Sequence, residues 1–152
     1  MDPIKKEVVV EASQETSFKV FVEKIDQWWP KELHVGKAPL RESILEAAPA
    51  GRWYSTHEDG SEVTIGYIID WDPFGRLLLA WQIDGNFKYD PNLVSEIEVS
   101  FVIEGPTRTR VQMEHRDLDK LRGGAKVIED MDQGWAYILG RYQHLFPQPV
   151  TI

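Results

Sequence analysis

His115 is the side chain best suited to chemistry in this sequence, because it ends a run of alternating residues. In a strand, Val111, Met113 and His115 share one face, and the two apolar neighbours indicate that this face points inward. An imidazole with a pKa near neutrality can act as a polar anchor or as a general acid–base group. Catalysis would need a second polar group beside it, such as Tyr89 or Asp84. The alternative is a structural, hydrogen-bonded histidine at a cavity rim, and we favour that interpretation.

The other three histidines form no pattern that indicates a metal site. His34 falls in a predicted loop, His57 beside a turn and His144 near the end of the sequence. None has the spacing of zinc ligands with another histidine, and the chain has no cysteine. The pair Gly123-Gly124 lacks the third glycine and the preceding strand of a dinucleotide site. The sequence therefore predicts no metal and no cofactor.

Tryptophan is unusually frequent, with six copies in 152 residues. We expect several of these rings to line one concave space beneath a helix. The predicted cavity residues are Trp28, Trp29, Trp53, Trp81, Phe101, Met113, His115, Trp135 and Leu139. Aromatic walls suit a planar or lipid-like apolar guest, with an indole N–H or a histidine to orient it. The alternative is that the rings themselves fill the space, and the residues alone leave both possibilities open.

The longest helical pattern runs from Gly124 to Phe146. Its apolar residues recur at steps of three, four and seven and form one stripe: Ile128, Met131, Trp135, Ile138, Leu139, Tyr142, Leu145 and Phe146. Gly134 and Gly140 interrupt it, and each costs a helix about 1 kcal/mol relative to alanine. Such glycines indicate a close backbone or a space that must stay open. We predict that this helix closes the open side of a curved β-sheet.

The rest of the chain predicts a strand over residues 4–12, a helix from the N-cap Ser13 to Trp29, and an antiparallel meander. The predicted meander strands are Leu40–Ala47, Arg52–Thr56, Glu62–Trp71, Arg76–Ile83, Ser95–Glu104 and Thr107–His115. Turn residues such as Asp59-Gly60 and Gly105-Pro106 separate them. Alternation predicts three inward-facing sets: Val63, Ile65, Tyr67, Ile69 and Trp71; Leu77, Leu79, Trp81 and Ile83; and Ile97, Val99, Phe101 and Ile103.

Composition restricts the class of protein. The length of 152 residues and the 42% hydrophobic content predict one globular domain over residues 1–152. A formal charge of −8 argues against nucleic-acid binding and against stable association with an anionic membrane. Because no apolar run is long enough to span a membrane and no signal peptide is evident, the sequence predicts a cytoplasmic protein.

Several short motifs resemble one known family over residues 5–146. They are Phe18–Phe21, Trp28-Trp29-Pro30, Gly51–Tyr54, Gly60-Ser61-Glu62, Trp71-Asp72-Pro73, Leu77–Gln82, and Gly134-Trp135 with Leu139. In this order they resemble the START and birch-pollen-allergen superfamily (SRPBCC), and within it the Aha-type branch of chaperone ATPase activators. The resemblance implies an α+β helix-grip fold. In that fold a curved antiparallel sheet of about seven strands wraps around a long C-terminal helix, with short helices after the first strand.

The resemblance leaves three functions open, because the superfamily includes lipid carriers, receptors, cyclases and chaperone co-factors. The leading hypothesis is binding of a small apolar, aromatic or lipid-like ligand between the sheet and the C-terminal helix. The second is a cyclase or isomerase that uses His115. The third is a co-chaperone or another protein-interaction module with a protein partner.

Overall fold

The computed structural model describes residues 2–148 and shows one antiparallel sheet of seven strands with helices on its concave side. The strands are β1 (Ile4–Val10), β2 (Leu40–Leu45), β3 (Arg52–His57), β4 (Glu62–Asp72), β5 (Arg76–Trp81), β6 (Ser95–Gly105) and β7 (Arg108–His115). The helices are α1 (Gln14–Glu23), α2 (Ile25–Trp28) and α3 (Gly124–Gln143), with a 3₁₀ turn at Leu118–Leu121. The strand order is β1-β7-β6-β5-β4-β3-β2. This arrangement confirms the predicted helix-grip fold.

The predicted N-terminal helix is divided into two. Ser13 caps α1, where its Oγ accepts a hydrogen bond from the backbone N–H of Thr16 at 3.2 Å. The chain leaves helical geometry at Lys24, where φ is −112°, and α2 then runs only to Trp28. Trp29 is extended and Pro30 follows it, so the helix cannot continue. Because of this break, the side chains of Trp28 and Trp29 point into different parts of the molecule.

Strand β4 contains two bulges that the alternation pattern did not reveal. The pairing register shifts opposite Trp53/Tyr54 and again between Ile68 and Asp70. Each bulge adds one residue and reverses the facing of the residues beyond it. The prediction that Tyr67 and Ile69 face inward was therefore wrong. The inward residues are Val63, Ile65, Ile68 and Trp71.

Gly66 lies at the first of these bulges, and close backbone packing explains why it is glycine. A Cβ atom placed there would lie 1.7 Å from the carbonyl oxygen of Ala80 on β5. No side chain fits without separating β4 from β5. The glycine thus holds together the two strands that flank the cavity described below.

Element ends account for the remaining differences from the prediction. Strand β2 ends at Leu45 and β5 at Trp81, both earlier than predicted, and α3 ends at Gln143. Leu145 consequently lies outside the helix and is 40% exposed. Ile103 is 63% exposed, because β6 and β7 extend beyond the helices that cover the sheet. The 3₁₀ turn at 118–121 was not predicted.

A packed aromatic cluster fills the space beneath α1 and the C-terminal half of α3. Phe21 lies 4.8 Å from Trp28, 5.7 Å from Phe101 and 5.4 Å from Tyr142, mostly in edge-to-face geometry. The Tyr142 hydroxyl donates to the carbonyl of Ser17 at 2.7 Å, and burial raises the pKa of this phenol. We call these residues, with Phe18 and Phe146, the core aromatic cluster.

The convex face of the sheet carries a network of ion pairs. Arg116 contacts Glu96, Glu98 and Glu114 at 3.0–3.2 Å. Glu98 and Glu114 are direct cross-strand partners, so the arginine separates two like charges. The two faces of the sheet thus differ: this ion-pair network lies on the convex face, and the core aromatic cluster lies on the concave face. No helix within residues 2–148 has the length and apolarity needed to cross a membrane.

Candidate functional site

A cavity of about 360 Å³ lies between the N-terminal half of α3, the segment that follows Trp29, and strands β2 to β5. Its wall is mostly apolar. The lining residues are Trp29, Glu32, Leu33, His34, Val35, Leu40, Ser43, Trp53, Tyr54, Ser55, Ile65, Trp81, Phe87, Val127, Asp130, Met131, Gly134, Trp135 and Ile138. The volume lies at the small end of the range of about 300–1,000 Å³ typical of small-molecule sites.

Four tryptophans form one side of this cavity, and we call them the indole wall. Trp29, from the segment after α2, lies 5.8 Å from Trp53, 6.5 Å from Trp81 and 5.9 Å from Trp135. Trp81 also lies 5.4 Å from Trp53 and 6.1 Å from Trp135. Four separate elements therefore place their indoles together. The structure brings these four predicted cavity residues into one wall.

Hydrogen bonds fix two of these indoles. Trp29 Nε1–H donates to the carbonyl of Leu33 at 2.7 Å, which also holds the start of the following loop. Trp135 Nε1–H donates to His115 Nδ1 at 3.2 Å. Rings held in this way lose little further freedom when a ligand packs against them.

The other predicted cavity residues do not line this space. Trp28 and Phe101 belong to the core aromatic cluster, beneath α1 and α3. Met113, His115 and Leu139 are also buried, at 2% exposure or less. Strand alternation placed Phe101, Met113 and His115 inward, and helical spacing did so for Trp28 and Leu139. Neither pattern could show that the helices cover β6 and β7 and leave the space open only over β2 to β5.

His115 sits behind the indole wall, and both of its ring nitrogens are engaged. Because Trp135 donates to Nδ1, the proton of the neutral ring is on Nε2, which donates to Ser95 Oγ at 2.9 Å. The Ser95 hydroxyl in turn donates to the carbonyl of Trp81 at 3.1 Å. Burial lowers the pKa of His115 to about 3. The ring has no free lone pair for a cavity ligand.

The polar groups named as possible partners of His115 act elsewhere. Asp84 Oδ1 accepts the backbone N–H groups of Asn86 and Lys88 and so shapes its own loop. Tyr89 is exposed and its backbone bridges Ile83. The residue that does converge on His115 is Ser95, which lies two positions before Ile97 on the same face of β6 but was not among the predicted inward residues.

One end of the cavity is polar. Ser43 on β2 and Ser55 on β3 are cross-strand partners, both are buried, and both line the cavity. Ser55 Oγ lies 2.9 Å from His57 Nε2, and His57 Nδ1 lies 2.9 Å from the carbonyl of Ala38. The His34 ring packs 5.7 Å from the His57 ring. We call Ser43, Ser55, His57 and His34 the polar end.

Sequence reasoning missed the polar end, although one signal was available. Trp53, Ser55 and His57 alternate along β3, and the inward tryptophan implies that the serine and the histidine share its face. The predicted inward-facing sets do not include β3, and the sequence prediction places His57 beside a turn. His34 gives no such signal, since the loop that carries it has no periodicity.

Apolar side chains that are partly open to solvent surround the entrance. Leu33 and Phe87 are both exposed, Phe87 at 65%, although both contact the cavity. Phe87 also has a φ of +59°, a conformation that costs a non-glycine residue about 1–3 kcal/mol. Glu32 and Asp130 supply the only acidic groups among the lining residues. An entrance of this kind admits an apolar molecule more readily than an anion.

A seven-stranded antiparallel sheet around a long helix, with a cavity between them, defines the helix-grip class. The chain is 33% identical to CalC from Micromonospora echinospora, a self-sacrificing resistance protein, with a TM-score of 0.70 and coverage of 95% of this chain and 93% of CalC. It is 32% identical to the anthrahydroquino-γ-pyrone synthase Txn09, with a TM-score of 0.68 and coverage of 96% and 97%. The chain belongs to the SRPBCC superfamily.

A more distant likeness shows the fold alone. The Aha1 dimer from Colwellia psychrerythraea has a TM-score of 0.65 over 96% of both chains, at 12% identity. No protein-family model matches the chain, and no curated protein matches its sequence. The neighbours therefore include a synthase, a resistance protein and an Aha1 protein on one fold.

Proposed function

We propose that this protein binds a small planar aromatic molecule in the cavity between α3 and strands β2 to β5. The observation that carries the proposal is the indole wall, where four tryptophans from four elements meet beside an open space of about 360 Å³. Aromatic rings interact best with other rings in stacked or edge-to-face geometry, and such contacts add about 0.5–1.5 kcal/mol each to burial. A flexible acyl chain would gain only the burial.

The two relatives with about one-third identity support a small-molecule role. Txn09 is named as the synthase of an anthrahydroquino-γ-pyrone, which is a fused aromatic product. CalC is named as a resistance protein. Both match this chain over nearly its whole length. The aromatic wall of this chain's cavity suits an aromatic compound, and the name of Txn09 refers to an aromatic product.

The arrangement around His115 favours binding over acid–base catalysis at that residue. Both ring nitrogens are in hydrogen bonds, and Trp135 separates the ring from the cavity. A general acid–base group has to reach the proton that it transfers, directly or through one water. A co-chaperone role has no comparable support, since the likeness to Aha1 extends only to the fold.

The two helical glycines supply a test of the cavity with a matched control. A Cβ at Gly134 meets no atom within 4 Å and lies on the cavity wall, whereas a Cβ at Gly140 is equally unhindered but lies away from the cavity. In calorimetric titrations with 2-methylnaphthalene, we expect wild type and Gly140→Leu to bind one equivalent alike. Gly134→Leu should bind at least about tenfold more weakly, because its side chain occupies the ligand's space.

Stability measurements separate this effect from misfolding. Replacement of either glycine should raise the melting temperature, since each glycine costs α3 about 1 kcal/mol. Equal binding by Gly134→Leu and wild type would place the probe outside the cavity. No binding of the probe by wild type would remove the proposal.

A further inference from the structure

We infer that Phe87 is a ligand-binding residue at the mouth of the cavity, and that the ligand reaches from the indole wall to the Phe87 ring. This inference rests on the proposed function and specifies it: the ligand would be an elongated aromatic molecule, with its inner end against the indole wall and its outer end against Phe87.

The main argument is the backbone of Phe87, which is held in the left-handed region. Its φ is +59°, a conformation that is unfavourable for a bulky residue and is normally given to glycine or asparagine. Within residues 2–148, the other non-glycine residues with a positive φ are Ala50, Asp117 and Arg122, and none of these lines the cavity. Strained residues cluster at sites that hold ligands, so an aromatic residue strained at a cavity mouth calls for an explanation.

Hydrogen bonds of the loop between β5 and β6 fix this conformation. The backbone N–H of Phe87 donates to the carbonyl of Asp84 at 3.0 Å, and the N–H of Asp84 donates to the carbonyl of Lys88 at 2.9 Å. The N–H of Gly85 donates to the carbonyl of Leu121 at 2.7 Å, which ties the loop to the turn that precedes α3. The loop itself therefore holds the Phe87 ring beside the N-terminal half of α3, where the cavity opens.

The exposure of the side chain is the second argument. Phe87 is 65% exposed, although it contacts the cavity. A single exposed apolar side chain is common on a protein surface, but here the exposure coincides with an unfavourable backbone. The ring therefore adds little to the stability of the fold. A ligand that extends out of the cavity would cover the ring and bury apolar surface on both partners.

The test compares two probes that differ by one fused ring, 2-methylnaphthalene and 2-methylanthracene, in wild type and in Phe87→Asn. Equilibrium dialysis gives the ratio of their two dissociation constants, in which differences in ligand hydration cancel between the proteins. We expect wild type to bind the longer probe more tightly. Phe87→Asn should reduce this preference about tenfold, because the outer ring of the probe loses its apolar cover. Phe87→Tyr, which keeps an aromatic ring, should retain most of the preference.

Stability supplies a readout of opposite sign. Asparagine tolerates the left-handed region, so Phe87→Asn should raise the melting temperature by about 2–4 °C while it weakens binding. The matched control is Ala50→Asn, at an exposed position between β2 and β3 with the same φ of +59°. It should also raise the melting temperature, and it should leave the ratio unchanged. A lower melting temperature in Phe87→Asn would show that the fold needs the ring and would overturn the inference.

An unchanged ratio in Phe87→Asn overturns the role of Phe87 while leaving aromatic binding intact, provided that 2-methylnaphthalene binds. If neither probe binds to wild type, both proposals fail. A second measurement needs no variant. In NMR spectra of wild type, nuclear Overhauser contacts should join 2-methylanthracene to the ring protons of Phe87 but not to those of Phe101, which is buried in the core aromatic cluster. Absence of the Phe87 contacts would overturn the inference even if Phe87→Asn did not fold.

Discussion

Histidine side chains in this protein differ in what their ring nitrogens contact. His115 is surrounded by fixed partners and its pKa is lowered to about 3, whereas the ring of His34 contributes to the cavity wall and its buried Nδ1 has no hydrogen-bond partner. The first ring is thus part of the support for the indole wall, and the second is part of the wall at the polar end. The residue type is the same, and only its surroundings decide its role.

The buried neutral His115 makes stability depend on pH. In the unfolded chain the imidazole gains a proton below about pH 6.5, but in the folded protein it does so only near pH 3. Its contribution is therefore complete above pH 6.5 and is lost as the pH falls. We expect the free energy of unfolding, measured in urea, to decrease by up to about 1.4 kcal/mol per pH unit between pH 6 and 4.

His115→Gln provides the control for this prediction. Glutamine can form hydrogen bonds but does not titrate, so the variant should be less stable at pH 7 and show a shallower slope between pH 6 and 5. Carboxylates such as Glu98, whose pKa is lowered by its hydrogen bond to Arg76, remain ionised in that window. An identical slope in both proteins would show that His115 is not the titrating group.

At the scale of the elements, the bulges of β4 decide which residues reach the interior. Ile68 is 1% exposed and Ile69 is only partly buried, although simple alternation predicts the reverse. The bulges also bend the strand, as bulges do, beside the open part of the sheet. The irregular strand is therefore one of the features that shape the cavity.

Alanine substitutions at these two neighbours test the register directly. Ile68→Ala removes a fully buried side chain and should lower the free energy of unfolding by about 2–5 kcal/mol. Ile69→Ala changes the same residue type one position later and should cost no more than about 1 kcal/mol. Urea denaturation measures both losses. A larger loss in Ile69→Ala than in Ile68→Ala would support a strand register without bulges.

The fold could be predicted because its signals are periodic and local. The stripe of α3, the turns between strands and the Ser13 cap each follow from residue type and spacing. The bulges could not be predicted, since nothing in Val63–Trp71 marks an extra residue except Gly66, whose close contact with Ala80 depends on how β4 pairs with β5. The same limit applies to the site: Trp29 and Trp135 were foreseen, but the loop that places His34 and Leu33 has no pattern.

At the scale of the whole molecule, the ion-pair network on the convex face and the indole wall on the concave face lie on opposite sides of the sheet. We therefore expect a substitution in the network to change stability and leave the proposed binding unchanged. Arg116 holds three glutamates, two of which are cross-strand partners. Because the sequence already carries a formal charge of −8, loss of this cation leaves the carboxylates to repel one another. The cavity lies on the other face, so we expect the network not to influence the proposed binding there.

Arg116→Met should therefore reduce the free energy of unfolding by about 1–2 kcal/mol at low salt, and the loss should shrink in about 1 M NaCl. Binding of 2-methylnaphthalene should not change. Lys19→Met, which removes an exposed pair with Glu15 on α1, is the matched control and should cost under about 0.5 kcal/mol. A salt-independent loss in Arg116→Met would point to lost packing rather than to lost charge.

The indole wall also has an optical consequence. Four of the six tryptophans are linked by ring-centroid distances of 5.4–6.5 Å, and Trp28 lies 6.0 Å from Trp29. Excitation energy absorbed by one indole can pass to its neighbours at such separations. A bound molecule that quenches one indole of the wall would therefore reduce most of the protein's tryptophan fluorescence. The intrinsic tryptophan fluorescence would then report occupancy of the cavity without an added label.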